Sequence, residues 1–570
     1  MPQRAFFLKV GGEPARGPLA ESAIRDAMRT GVVPPDALLG ASASGPFEPA
    51  SVVLALSAKG GGRAGWLFVA FGAIVLVGLL GGAFAFWWRA RPPHLCAATP
   101  KIFASLKHHV QIDAYVTRGT PKLDAFVHDL ESLLRAYKSE SHVTVDYRII
   151  EVKDEEQKKE AKDNGLQEQA FGDAEAEGVD VHTGYMGLVF AYGAEKDTIK
   201  FLAPDAKDGL EFWITNKLRE LHARADGAGY RLGFVTGSGE ASLAEASLVP
   251  RSMGSPSIKN ILTQNFPFYS IDDVDFTRGV DPDLRGMILT QPDRDLSEAE
   301  LEALDAFVMR GRALAVFASA VNVRAGDATM QGTLSTRGLE RLLGAYGITL
   351  HRDVVLDPQS FHATVMTSAG VSKLEFPFVP IARASGDDGS LLDARSAVFF
   401  RLSEVAFPFA SSLELDPKKQ PGATARVLAR ASKGAATSTE DPANLSPLQK
   451  WPARPPGGGA VLAASVEGRL TSAFGKGASA GHARVLVIAS SQFLANPFAR
   501  AGNPDPTSAA SLGFAVPAGD ETMLQLAQPY AQGELTSTIL VFKNTLDWLS
   551  MDDDLAKCAI GSATEKSDKK

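Results

Sequence analysis

Between Gly65 and Trp88 the sequence reads GWLFVAFGAIVLVGLLGGAFAFWW, and no charged residue interrupts it. As a helix rising about 1.5 Å per residue it would be roughly 36 Å long, against about 30 Å of bilayer hydrocarbon. Trp66 at one end and Trp87 with Trp88 at the other stand where interfacial aromatic residues belong. The expectation is one transmembrane helix over 65–88, with the lipid bilayer as a partner. It would divide a small N-terminal domain from a large C-terminal α/β region. A cleaved signal peptide is excluded, because a folded-looking segment of some sixty residues precedes the run and the apolar stretch is too long. Local charge leaves orientation open. Lys59 and Arg63 precede the run, whereas Arg89, Arg91, Lys101 and Lys107 follow it, which by itself favours a cytoplasmic C-terminal side.

At 570 residues the chain exceeds a single core. A net charge of −8 argues against a nucleic-acid partner, which would call for a basic face. The two cysteines, Cys96 and Cys558, form no CxxC, so a four-cysteine zinc site and a thioredoxin-like redox pair are excluded. Two unpaired thiols are expected, with a disulfide as the alternative in an oxidising compartment.

Residues 1–57 carry a strand-like FFLKV, then Gly17-Pro18-Leu19, a short helix ending at Gly31, the turn Pro34-Pro35-Asp36-Ala37-Leu38, and Phe47-Glu48-Pro49-Ala50. This order resembles the bacterial GYF-like domain, with Phe47 where the family has tryptophan. The resemblance implies an adaptor that docks proline-rich peptides on aromatic side chains. Phe6, Phe7 and Phe47 are the candidate binding residues, and the competing reading is that they fill a small core. Residues 58–64 form a linker to the span.

Residues 97–226 alternate strand, helix, strand, helix, hairpin, helix, a thioredoxin-like order. Leu123, Phe126, Val127, Leu130, Leu133, Leu134 and Tyr137 trace one helix face. Thr117-Arg118-Gly119-Thr120 stands where a redox CxxC would be, so no thiol chemistry is possible there. A second α/β region, 230–555, resembles an amidotransferase-like (flavodoxin-like) fold without its cysteine nucleophile. Ser297 to Glu300 reads as a capping box. Residues 357–480 look like an irregular insertion or an extra sheet, and 556–570 form a polar tail.

Candidate sites are few. Gly237-Ser238-Gly239 follows a strand but lacks the third glycine of a dinucleotide loop and a Walker lysine. Gly477-Ala478-Ser479-Ala480-Gly481 matches G-x-S-x-G, yet a strand follows it where a nucleophile elbow needs a helix. His108-His109 has no HxxxH or HExxH partner, and Asp552-Asp553-Asp554 lacks an EF-hand frame. No catalytic residue, cofactor or metal is expected.

Eight stretches in order carry a second resemblance. They include Thr99-Pro100-Lys101 through Val116, Tyr192-Gly193, Phe212 to Leu221, Gly233 to Glu240 and Pro292 to Phe317. Leu342 to Pro358, Arg484 to Phe493 and Asn544 to Leu555 complete the set. Over about 97–555 the chain resembles the auxiliary component of gliding-motility-type ABC transporters (GldG-like proteins). It departs at Ser238, where the family has histidine, at Ser490, where it has aspartate, and at the polar GSATEKSDKK end, where the family often has a second membrane helix. The resemblance implies a non-enzymatic auxiliary subunit of the inner membrane, beside a separately encoded ABC permease and ATPase. It also implies a cytoplasmic N-terminus and a periplasmic C-terminal region. The alternative is an extracytoplasmic peptide or glycan receptor coupled to a cytoplasmic proline-rich-peptide adaptor.

Overall fold

The computed structural model describes residues 5–57, 95–551 and 554–555, apart from gaps at 13, 35, 142–143, 172–181, 205–208, 228, 246, 251–255, 368–369, 448, 452–453 and 504–518. The expected span, 65–88, lies outside the described residues. Among the described residues no helix is long and apolar enough to cross a membrane. Glu521–Ser550 has the length, but Glu534, Lys543 and Asp547 interrupt it. The expected fold class, built around one transmembrane helix, is corrected accordingly: the described chain is mixed α/β, with seven sheets. It divides into two units, Met1–Arg91 and Pro92–Lys570.

The first unit holds β1 (Ala5–Lys9), β2 (Arg16–Ala20), α1 (Glu21–Arg29), β3 (Leu38–Gly40), β4 (Phe47–Pro49) and α2 (Ala50–Ser57). The strands form an antiparallel sheet in the order β2-β1-β3-β4. Successive side chains of a strand face opposite ways. Phe6, Leu8 and Val10 therefore share one face, where they pack with Ile24, Leu39 and Leu54 into the unit's core.

The second unit begins with α3 (Ala98–Ser105) and β5 (Val110–Val116). Then come α4 (Pro121–Glu140), β6 (Val145–Glu151), α5 (Glu155–Asp163), and the short ribbon β7 (Gln169–Phe171) with β8 (His182–Gly184). The hairpin β9 (Met186–Tyr192) and β10 (Glu195–Ile199) follows, and α6 (Leu210–Asp226) closes the set. The four-stranded sheet runs β10-β9-β5-β6, with β5 and β6 parallel and β9 antiparallel to both neighbours. Thr120 caps α4 by accepting from the Leu123 amide at 3.3 Å, and Pro121 occupies the first turn, where its missing N–H is harmless. The seven apolar residues of the predicted face are all buried.

From β11 (Tyr230–Thr236) the chain passes through α7 (Ile258–Asn265) to β12 (Tyr269–Asp275), and then to β13 (Gly286–Thr290). It continues through α8 (Glu298–Met309) to β14 (Ala313–Phe317). After twelve further strands among the described residues, β27 (Ala483–Ile488) joins β14. The parallel order β12-β11-β13-β14-β27 is doubly wound. Strands β13, β14 and β27 are buried at every residue, as strands covered on both faces must be. The capping box forms in full: Ser297 Oγ accepts from the Glu300 amide at 3.3 Å, and the Ser297 amide donates to Glu300 Oε2 at 2.7 Å.

The region 357–480 is more than an insertion. Strands Leu413–Leu415, Ala423–Arg430 and Val461–Gly468 extend the same sheet in antiparallel fashion, the last one against β27. Its long hairpin Ser360–Thr367 with Gly370–Arg383 brings Phe361, Phe376 and Phe378 into an aromatic cluster. The Phe376 ring centre lies 5.5 Å from that of Phe361, 6.0 Å from Phe378 and 4.9 Å from Phe498. Phe378 stacks on Phe409 at 5.2 Å.

A buried polar network docks α6 on the Glu521–Ser550 helix. Arg219 Nη2 donates to Asp547 Oδ1 at 2.8 Å, and both side chains are 4% exposed. Asn216 and Lys543 donate to Asp547 Oδ2 at 3.2 and 2.6 Å, and the Tyr269 hydroxyl donates to Oδ1. Lys543 also reaches Glu220, which pairs with Lys217 at 2.8 Å. Cys96 is disulfide-bonded, which corrects the expectation of two free thiols. The sequence holds one other cysteine, Cys558, outside the described residues.

Candidate functional site

The strand alternation separates the three candidate phenylalanines of the N-terminal unit. Phe6 packs on the core side. Phe7 pairs with Gly40, and Gly40 with Phe47, so Phe7 and Phe47 lie on the opposite face with a glycine between them. A Cβ at Gly40 would come within 3.0 Å of the Phe47 ring, so the ring rests against bare backbone. Lys9 Nζ sits 5.7 Å from the same ring centre. Phe7 and Phe47 are both half-buried.

In the second unit the sequence motifs have structural employment. The Ser238 amide donates to Glu240 Oε2 at 2.7 Å, so the chain's own carboxylate takes the position an incoming phosphate would need. Ser238 Oγ donates to Glu300 Oε1 at 2.9 Å. Arg294 beside Glu300, aided by Ser297, holds that carboxyl down to about 2. Ser479 is fully buried; its Oγ accepts from the Leu470 amide at 3.1 Å and donates to the Gly481 carbonyl at 2.6 Å, which makes it a turn residue rather than a nucleophile. Ser490 Oγ donates to the Pro408 carbonyl. His108 Nε2 lies 3.6 Å from Asp226, and among the described residues no group of His, Cys, Asp and Glu could hold a metal. Asp552 and Asp553 lie outside the described residues, while Asp554 pairs with Lys101.

A concavity sits where doubly wound sheets place their sites: beyond the carboxyl ends of the parallel strands, at the point where the strand order reverses. A cleft of about 850 Å³ opens there. The loop after β11 gives Gly239, the loop after β13 gives Gln291 and Asp293, and the loop after β14 gives Asn322 and Arg324. Ser491 follows β27. Arg337 and Arg500 come from the flanking segments. The short strands Val321–Val323 and Gln331–Leu334 form one wall.

Hydrogen bonds fix the floor. The Ser319 amide donates to Gln291 Oε1 at 2.9 Å, and Gln291 Nε2 donates to Asn322 Oδ1 at 2.8 Å. Arg337 Nε donates to the same Asn322 oxygen at 3.1 Å. Asn322 Nδ2 is anchored on the Ala320 and Ser335 carbonyls at 2.8 and 2.9 Å. Asp327 Oδ1 accepts from the Thr329 amide at 2.9 Å and so holds the turn. Two non-glycine residues bracket the wall strand in the left-handed region, Met330 at φ 49° and Arg337 at φ 54°. Such backbone persists only where the surroundings enforce it.

The sequence reading did not single out Arg324, Arg337, Arg500 or Ser491. A partial signal existed: the stretches at 233–240, 292–317 and 484–493 that resemble one family all end at this edge of the sheet.

A family model described as an ABC-type uncharacterized transport system matches residues 230–517. A second, described as a Domain of unknown function (DUF7088), matches residues 94–191. No curated protein matches the chain. Among solved structures, the mmIFT52 N-terminal domain matches at 11% identity over 57% of this chain and 98% of that one. Its TM-score is 0.29, too low to carry an argument.

Proposed function

Because this chain belongs to the family of ABC-type uncharacterized transport systems, in which its part is auxiliary, we propose that it is a non-catalytic subunit working beside a separately encoded ABC permease and ATPase. The observation that carries this reading is the coincidence of the matched residues, 230–517, with the doubly wound sheet and the cleft at its carboxyl edge. The serines that could have suggested hydrolysis are engaged in structural hydrogen bonds. The sequence holds no Walker lysine loop, so ATP hydrolysis falls to the partner. A gliding-motility-type system is the finer form of the proposal, supported by the eight ordered stretches.

The test is co-purification. The tagged full chain is expected to bring permease and ATPase polypeptides with it from solubilised membranes, and to have no ATPase activity alone. Recovery of the chain free of any ABC subunit would overturn the reading.

A second reading concerns the N-terminal unit alone, and the pairing of Phe7 and Phe47 across Gly40 favours it. Two rings flanking a glycine suit the ridged surface of a polyproline helix. In the full chain, Phe47→Ala is expected to abolish binding of a labelled proline-rich peptide followed by fluorescence anisotropy. Equal binding by the variant would leave these rings a packing role.

A further inference from the structure

We propose that the cleft at the carboxyl edge of the parallel sheet is an oxyanion-binding site, taking the carboxylate or phosphate group of a small polar ligand through Arg324, Arg337 and Ser491. The inference goes beyond the transport reading and does not depend on it.

Most of the cleft's hydrogen-bond acceptors are already occupied. Gln291 Oε1 accepts from Ser319, and Asn322 Oδ1 accepts from both Gln291 and Arg337. Asp327 accepts from the amides of Thr329 and Gln331 through its two oxygens. The donors are not. The Arg324 guanidinium is exposed and has no bond or ion pair among the described residues. Arg337 bonds through Nε, and among the described residues its Nη1 faces only Asp295, at 3.7 Å, whose side chain is 75% exposed. Arg500 is held by Glu245 at 3.3 Å, also through Nε. Ser491 is 6% exposed, and its Oγ has no hydrogen-bond partner among the described residues.

A buried hydroxyl without a partner is costly and calls for an explanation at the site. A guanidinium offers five N–H groups and no acceptor, in a fork that matches the two oxygens of a carboxylate or phosphate. A cleft with surplus donors and engaged acceptors fits a ligand rich in acceptors. Asp293 is the exception: it lines the cleft with no side-chain bond among the described residues. It would accept from a hydroxyl or ammonium group beside the ligand's acid. Among the described residues the cleft holds no aromatic ring, which disfavours a ligand recognised by stacking.

The geometry is preorganised. Arg337 is fixed by the chain from Ser319 through Gln291 and Asn322, on a backbone held at positive φ. Such fixing lowers the ordering cost of binding.

The experiment is calorimetric titration of the purified full chain with inorganic phosphate and, separately, with citrate, at low and high chloride. Saturable heat is expected for at least one of the two, weakening as chloride rises. The arm that binds tells a phosphate site from a carboxylate site. Arg324→Gln, at an exposed position that folding does not need, is expected to weaken binding by about tenfold or more, as loss of a charge-assisted bond does. Ser491→Ala should weaken it less, with circular dichroism unchanged. Assembly with the ABC subunits should survive Arg324→Gln, so the two proposals fail separately. Absence of saturable heat with both anions, or affinity unchanged in both Arg324→Gln and Arg337→Gln, would overturn the proposal.

Discussion

Replacing Asp547 by asparagine removes one charge from the buried network and almost none of its volume. Asp547 accepts from Asn216, Arg219, Tyr269 and Lys543. After the change Lys543 keeps Glu220, and Lys217 keeps Glu220 and Asp197. Arg219 keeps Asn216 Oδ1 at 2.9 Å and Ser550 Oγ at 3.0 Å, and the Tyr230 ring 4.6 Å from its Cζ, but loses its direct ion-pair partner, with Glu220 acting on it only at longer range. A buried cation stripped of its partner costs about 3–5 kcal/mol. The loss falls where α6 meets the Glu521–Ser550 helix. Hydrogen exchange under native conditions is therefore the assay, with the opening free energy of the amides in those two helices as the readout. Asp547→Asn should lower it by about 3–5 kcal/mol, while the N-terminal unit, which has its own core, keeps its protection. The double variant Arg219→Met/Asp547→Leu should recover most of the loss, since apolar replacement of a buried pair is often neutral. A loss in Asp547→Asn of under about 1 kcal/mol, the value of a solvated surface pair, would refute the reasoning.

Other outcomes follow from single groups. Burial, with Glu404 adding to it and Arg383 opposing it, pushes the Glu534 carboxyl up to about 7. The sign is that of a raised acid: its contribution is complete below the unfolded value and lost as pH rises through about 7, so stability falls across that window. Glu534→Gln should flatten that slope in pH-dependent thermal melts and stabilise the chain at about pH 8 by at most about 3 kcal/mol; an unchanged slope would count against a buried, unpartnered Glu534. Cys96 should resist thiol labelling in denaturant until reductant is added, and Cys96→Ser should destabilise the second unit by about 2–5 kcal/mol in urea melts; labelling without reductant would show a free thiol. We also propose that residues 95–555 lie outside the cytoplasmic membrane, where disulfides persist. Protease added to spheroplasts should then cleave this region, and full protection would refute the placement.

Much of the local structure could be read from the chain. The face from Leu123 to Tyr137 repeats at helical spacing and is buried as that spacing requires. The Ser297–Glu300 box closes because both partners lie within one turn. Alternation in FFLKV tells that Phe6 and Phe7 face opposite ways. Which face is covered was set by Ile24 and Leu54, which pack on the side of Phe6 and leave Phe7 with Phe47. The strands of 413–468 could not be placed from the sequence because they sit among glycine- and proline-rich segments; two of them are eight residues long, yet only their pairing toward β27 makes them part of the main sheet. The cleft was the least legible feature. Asp293, Arg324, Arg337 and Ser491 lie in loops, Arg500 lies in the helix Pro497–Gly502, and they carry no common spacing. They meet because the order β12-β11-β13-β14-β27 aligns the carboxyl ends of distant strands. Likewise, Arg219 and Asp547 become partners only when two helices far apart in sequence dock. Periodicity along a chain reports which side of an element is apolar, because that depends on neighbours within a turn or a pleat. Which elements become neighbours depends on how whole faces pack, and no local spacing records it.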